Sequence, residues 1–491
     1  MAEAHAFDLN IERVLEHWPV AFALREFIAN ALDEQLITRT RSPTVSLDEE
    51  GRWHIRDFGR GLSYEHLTQK EDPEKTSHPS VIGQFGIGLK DALAVCDRRK
   101  VGVLLRSRHG DITIASRPKA GFADIVTLHG IVAPPSDSAL VGTDVVLTGI
   151  HKSDMEQAQG YFLHYSGDRL LENTGAGSVL ARASMVGPGR IYVKGLLAAE
   201  EPNFLFSYNI TQLNAPLRRA LNRERTNVGR TAYSDRVKDI LKACTSSLVV
   251  GPLTEDLGAV VTGNAHDEID WKDVAIHACR LLQSQEKVVF VTAWQTGLDT
   301  VTYARRDGYR PVVVPDDIAQ ALGRQTDLAG QPIVDLGTYR QEWNDSFEFT
   351  FVKPAGLTNR ELAIYGLTDT VIRLARVDRS RHGIGEILIS ETMRLNEAGS
   401  GQVLGIWEPA EHRVIIRRDQ LRSAASYCGV LLHELSHAVS GASDNTMEFE
   451  DALTELVGVV VSEALAQLQT FGHGGSSGPL GVVHSDLVGD G

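Results

Sequence analysis

The chain has 491 residues, 42% hydrophobic and 23% charged, the balance of a globular protein and not of a disordered or membrane-embedded one. That length holds three or four domains, each with its own core. A net charge of −15 argues against an extended nucleic-acid surface, so nucleic acid is not an expected partner.

The opening MAEAHAFDLNIERV is too polar for a signal peptide. Residues 1–154 then alternate helical patterns with short strands, expected over 45–47, 53–56, 101–106, 111–115 and 143–147. Residues 155–262 form a second α/β unit, with strands near 190–193 and 204–208 and a helical stretch over 234–249. After the glycine-rich break at 258–263 comes a small βαβα unit, 266–330, with buried strands over 287–292 and 311–315 and a capped helix over 316–322. A polar connector over 327–345 leads to the last domain, 346–468, and the Gly/Ser-rich tail 472–491 reads as disordered. No internal repeat is visible. No apolar run approaches the roughly 20 residues of a membrane span. Cys96, Cys244, Cys279 and Cys428 lack C-x-x-C spacing, as free thiols in a reducing cytoplasm do. The expectation is a soluble, cytoplasmic multidomain protein of α/β and α+β type.

Four segments of the first domain carry chemistry. In the helix around 24–33, Leu24, Phe27, Ile28 and Ala31 define a core face at i, i+3, i+4, i+7. Glu26, Asn30 and Asp33 line the opposite face, where an acid, an amide and a second acid suit a general base, a Mg²⁺ ligand and a supporting hydrogen bond. Asp57-Phe-Gly59-Arg-Gly61 ends a strand with an acid that can accept from an adenine amino group and glycines that let backbone approach a base. Gly83-Gln-Phe-Gly86-Ile-Gly88 runs into a helix, offering amides to phosphate, and lacks the G-K-S/T ending of a Walker loop. Thr143 opens a strand and brings a hydroxyl.

In order and spacing these motifs resemble the GHKL ATPase superfamily of gyrase B, MutL, the ninety-kilodalton heat-shock chaperones, histidine kinases and MORC proteins. The resemblance implies an α/β sandwich that binds ATP and Mg²⁺. Glu26 then matches the water-activating glutamate, Asn30 the magnesium ligand and Asp57 the adenine reader. Gly59 and Gly61 match its loop, and Gly83, Gly86 and Gly88 the phosphate lid. Glu26 favours hydrolysis over phosphotransfer, and no phospho-acceptor helix is visible. Lys75, before the glycine loop, either reaches a phosphate as the lid closes or is a surface lysine. Residues 155–262 stand where such proteins carry a transducer domain, whose lysine is matched by position only with the basic loop 221–230 or with Lys194.

Near the C-terminus, His433-Glu434-Leu435-Ser436-His437 is an H-E-x-x-H on a helix. Two imidazoles one turn apart reach one zinc ion, and Glu434 is placed as general base toward a water there. The helix should stop near Ser440-Gly441, since glycine is the usual terminator. No histidine follows at metzincin spacing. On a 100° wheel of the next helix, Glu450 flanks the buried face through Phe449, Leu453, Leu456 and Val460, which makes it the expected third ligand. A thermolysin-like register would use Asp451 with Glu455 behind it, and Asp444 in the connecting loop is a further choice. The arrangement resembles a minimal gluzincin, and 412–417 reads as the edge strand on which an extended peptide would pair.

Together these readings describe an ATP-dependent conformational unit that dimerises on nucleotide and controls a zinc peptidase acting on a protein or peptide, in a setting such as stress or antiviral defence. The alternative is a chaperone- or MORC-like ATPase with a structural zinc domain.

Overall fold

The computed structural model describes residues 5–11, 15–68, 81–83, 88–119, 121–221 and 227–472. Lys75, Gly86, residues 222–226 of the basic loop and residues 473–491 lie outside them. The chain is a mixed α/β multidomain protein whose sheets fall into two compact units, residues 1–286 with 314–332, and residues 287–313 with 333–491.

The first unit begins with an antiparallel seven-stranded sheet, β1 (His5–Asp8), β2 (Thr44–Leu47), β3 (Trp53–Arg56), β4 (Gly102–Ser107), β5 (Gly110–Lys119), β6 (Phe122–Ala133) and β7 (Thr143–Thr148), in the order β1-β6-β5-β4-β7-β3-β2. The five expected strands are all present. β1 and β6 escaped the pattern reading, because β6 is interrupted by His129-Gly130 and has no clean alternation. Helices α1 (Val20–Thr38), α2 (Gly88–Arg99) and α3 (Lys152–Gly160) share a core with this sheet, in which Leu24, Phe27, Ile28, Ile55, Leu93, Leu105 and Leu147 are buried. Apolar residues at helical spacing on α1 meet apolar residues at every second strand position, so each element hides one face.

A second sheet follows, β8 (Arg169–Asn173), β9 (Gly177–Ala181), β10 (Gly189–Val193), β11 (Leu196–Glu201) and β12 (Ser207–Ile210), in the order β11-β10-β12-β9-β8, with only β10 and β12 parallel. The buried Glu268 joins it to the chain beyond by accepting from Leu205 N–H (2.9 Å), Phe206 N–H (3.2 Å) and Tyr208 O–H (2.8 Å).

In the second unit, β13 (Val288–Val291) and β14 (Arg310–Val313) are parallel and joined through the helix Asp299–Arg306. The segment 266–330, expected as one small domain, is divided, since the helices Lys272–Gln285 and Asp316–Leu322 belong to the first unit. The expected connector contains a helix, Leu336–Asp345, capped by Asp335 and burying Leu336 and Tyr339 in the β13–β14 core. Part of the core there, Leu336, Tyr339 and Leu395, comes from residues after 333, which no reading of local polarity could anticipate.

The rest of this unit is a four-stranded sheet of β15 (Phe351–Val352), β16 (Glu386–Ser390), β17 (Gly405–Glu408) and β18 (Arg413–Arg417), in the order β15-β16-β18-β17. On it lies the helix α4 (Ala424–Ser440), and α5 (Met447–Gly472) packs on α4. Ser423 caps α4, its Oγ accepting from Ser426 N–H at 3.1 Å, and Gly441 ends it at φ 69°, where the sequence placed the stop.

Candidate functional sites

In the first unit, α1 buries Leu24, Phe27, Ile28 and Ala31 as expected and brings Glu26, Asn30 and Asp33 to the opposite side. The wholly buried Arg25 guanidinium lies against Trp18, Phe22 and Tyr161 and donates to Glu26 Oε1 at 2.8 Å. Asn30 Nδ2 donates to the Glu26 carbonyl at 2.8 Å. The start of α2 comes so close to the Glu26 carboxylate that a Cβ on Gly88 would collide with it.

Asp33, expected to lend a supporting hydrogen bond at the nucleotide site, bonds to the chain's own backbone. It is 1% exposed, and its two oxygens accept from Ile82 N–H (2.6 Å) and Gly83 N–H (2.8 Å). It therefore anchors the entrance of the glycine loop, a positioning task that helix-wheel spacing cannot distinguish from ligand contact.

Asp57 leaves β3 buried, with Oδ1 accepting from Gly59 N–H (2.9 Å) and Thr143 N–H (3.2 Å). Burial raises its carboxyl above the ordinary aspartate value, against the pull of those amides. The Thr143 hydroxyl accepts from Leu62 N–H at 2.9 Å, tying the Asp57–Gly61 loop to β7. Gly142 sits at φ 81°, and a Cβ there would strike the Asp57 backbone, so only glycine fits. Gly59 packs on the Glu34 side chain and Gly61 on the Gly142 carbonyl.

In the second unit, His433 Nε2 and His437 Nε2 lie 3.3 Å apart, and Asp444 Oδ1 lies 3.2 Å from the first and 3.3 Å from the second. Among the described residues this is the group of histidine and acidic side chains able to hold a metal ion. Glu450, the expected third ligand, is exposed in the first turn of α5 and outside the group, as are Asp451 and Glu455. The wheel identified the buried face of α5, yet the residue that meets the histidines is Phe449 at its centre, stacked 4.3 Å from the His437 ring. Asp444 reaches them from the loop between the helices, where no periodicity signals orientation.

The donor chemistry fits a cation. His437 Nδ1 lies 2.9 Å from the Ala442 carbonyl and must donate its proton there, so the neutral ring presents a lone pair at Nε2. That lone pair faces a carboxylate oxygen, and two acceptors at 3.3 Å are compatible only with a proton or a cation between them. Tetrahedral zinc with ligands at ~2.0–2.1 Å spaces them by about 3.3 Å. Burial also lowers the His433 imidazole below its ordinary value, favouring the neutral form a metal needs.

Glu434 is 5% exposed on the same helix, and its carboxyl is pushed up to about 8, by burial first and then by the charge of Asp444, with a backbone hydrogen bond from Trp407 opposing. These groups line a cleft of about 910 Å³. One wall is β17, an edge strand that among the described residues pairs with β18 alone. The expected edge strand, 412–417, is instead interior, with β16 and β17 on either side.

The model of the Mycoplasma pneumoniae MPN635 N-terminal domain matches residues 153–247. An uncharacterised protein of Mycoplasma pneumoniae (strain ATCC 29342 / M129 / Subtype 1) is 36% identical over 240 residues, 48% of this chain and 96% of that protein. A second from the same strain is 23% identical over 343 residues, covering 66% of this chain and 96% of its own. The chaperone protein HtpG of Methylobacterium sp. (strain 4-46) is 29% identical over 181 residues, 30% of this chain and 28% of HtpG. No solved structure matches the chain. Among the described residues, no helix is long and apolar enough to cross a membrane.

Proposed function

The chain belongs to the family of the first of those Mycoplasma pneumoniae proteins, and we propose that it is a nucleotide-controlled zinc peptidase. The observation that carries the reading is the convergence of His433 Nε2, His437 Nε2 and Asp444 Oδ1 beside the buried Glu434. His433, His437 and Asp444 hold the metal, which supplies Lewis acidity toward a water and a peptide carbonyl. The free edge of β17 takes an extended peptide as an added strand. Glu434 accepts a proton from the attacking water and passes it to the departing amine as the C–N bond breaks. A neighbouring cation favours its ionised form, which readies it as a base. A purely structural zinc site is filled by four protein ligands, whereas the described residues supply three, which favours catalysis over the structural alternative.

In the first unit the GHKL motifs and the likeness to a chaperone, HtpG, support ATP and Mg²⁺ as ligands. Asp57 reads the adenine amino group, Asn30 holds Mg²⁺ and Glu26 activates water. Arg25 fixes the Glu26 carboxylate, and Asp33 sets the lid. Nucleotide-dependent dimerisation then governs the peptidase.

The test is zinc content together with casein cleavage or self-cleavage, with and without ATP, comparing wild type with Glu434→Gln. The expected result is about one zinc per chain in both proteins, with cleavage lost in the variant. A zinc-free wild type, or equal cleavage by the two proteins, overturns the reading.

A further inference from the structure

Histidines that bind a metal ordinarily donate their other ring nitrogen to a carbonyl, a carboxylate or water, and a protein partner fixes the ring plane. His437 does so, through Nδ1 to the Ala442 carbonyl. His433 does not, since its hydrogen-bonding contacts are all at Nε2, toward Asp444 and His437, and Nδ1 has no partner among the described residues. Its side chain is 38% exposed, so packing on every side does not hold it either. What it meets is Phe449, 5% exposed at the start of α5, whose ring centre lies 4.8 Å away at 67°. The same ring stacks on His437 at 4.3 Å and 25°. One aromatic side chain therefore touches both imidazoles, edge-on to one and face-on to the other, in geometries that aromatic pairs favour.

We propose that Phe449 is a positioning residue of the metal site, a clamp that orients His433 and holds both rings toward Asp444. It is the residue of α5 that faces both histidines, and the carboxylate that would join them in holding the metal, Asp444, comes from the loop. This rests on the metal reading above, and its readout is metal affinity.

The experiment is Zn²⁺ titration of the full chain against a chromophoric chelator, with the visible spectrum of the Co²⁺-loaded protein as a second signature. Phe449→Leu keeps an apolar side chain of similar size but no ring, and should weaken Zn²⁺ binding ~10- to 100-fold and alter the cobalt bands. Phe449→Tyr retains the ring and should bind as wild type does. Leu456→Ala, at a buried position on the same helix, should lower the melting temperature while leaving affinity unchanged. Unchanged affinity in Phe449→Leu, equal losses in Leu456→Ala, or a folded Phe449→Tyr that loses zinc overturns the clamp and leaves the peptidase reading standing. A wild-type chain that takes up no Zn²⁺ overturns both.

Discussion

Gly405 faces Glu434 so closely that a Cβ would stand 2.6 Å from both Glu434 Oε1 and Val430 Cγ1. Glu434 is buried and cannot swing away, so Gly405→Ala should displace the carboxyl from the cleft and cost on the order of 1–3 kcal/mol, as overpacking does. Calorimetric melting checks the stability, and cleavage should fall while zinc content holds, because the ligands are untouched. In the other site, Asp57→Asn exchanges one carboxylate oxygen for an amide nitrogen beside amides that already need an acceptor. Nucleotide affinity should drop by about 1–3 kcal/mol in a titration. Glu26→Ala should bind nucleotide nearly as well and hydrolyse none, and an ATPase rate equal to wild type would remove Glu26 from its role. Residue types were legible here because the chemistry demands them. The task of Asp33 was not, since its partners, Ile82 and Gly83, stand about fifty positions away in the chain.

The two C-terminal helices and their loop bring together the groups of the proposed metal site. Asp444, 60% exposed on its loop, is drawn to two histidines on one helix, while Phe449 backs them from the next. Removal of metal by a chelator should therefore loosen the loop and lower the melting temperature of the second unit. Restoring Zn²⁺ at 100 times its dissociation constant should return about 2.7 kcal/mol. Asp444→Ala should abolish that response and Glu450→Ala should leave it intact, the reverse of what the helix wheel alone would favour. The helix itself was readable from Ser423 to Gly441 because caps and periodicity are local. The edge position of β17 was not, because it depends on β18 pairing with both β16 and β17, which a short apolar run does not encode.

For the molecule as a whole, the proposed ATPase and the proposed hydrolase on one chain make functional sense if one governs the other. ATP or a non-hydrolysable analogue should change the peptidase rate and favour a dimer, with no effect in Asp57→Asn. A coupling of about 1–3 kcal/mol, usual for linked sites, is a roughly 5- to 150-fold change in rate. Cleavage assays and light scattering across nucleotide states measure both. Identical rates in every state, with a confirmed substrate, would leave two independent modules.

From the sequence alone came the local arrangements: the H-E-x-x-H turn, the acid and amide of α1, the Asp57 glycine loop and five strands of the first sheet. All of these depend on spacings within a few residues, where helix and strand periods dictate which side chains share a face. The tertiary structure decided which groups meet across long stretches of chain. It brought Asp444 and not Glu450 to the histidines, set Asp33 against the Ile82 and Gly83 amides, made β17 an edge strand and divided the segment 266–330 between two compact units. Each of those outcomes turns on where one buried face finds another, and burial is non-directional, so local sequence leaves it open.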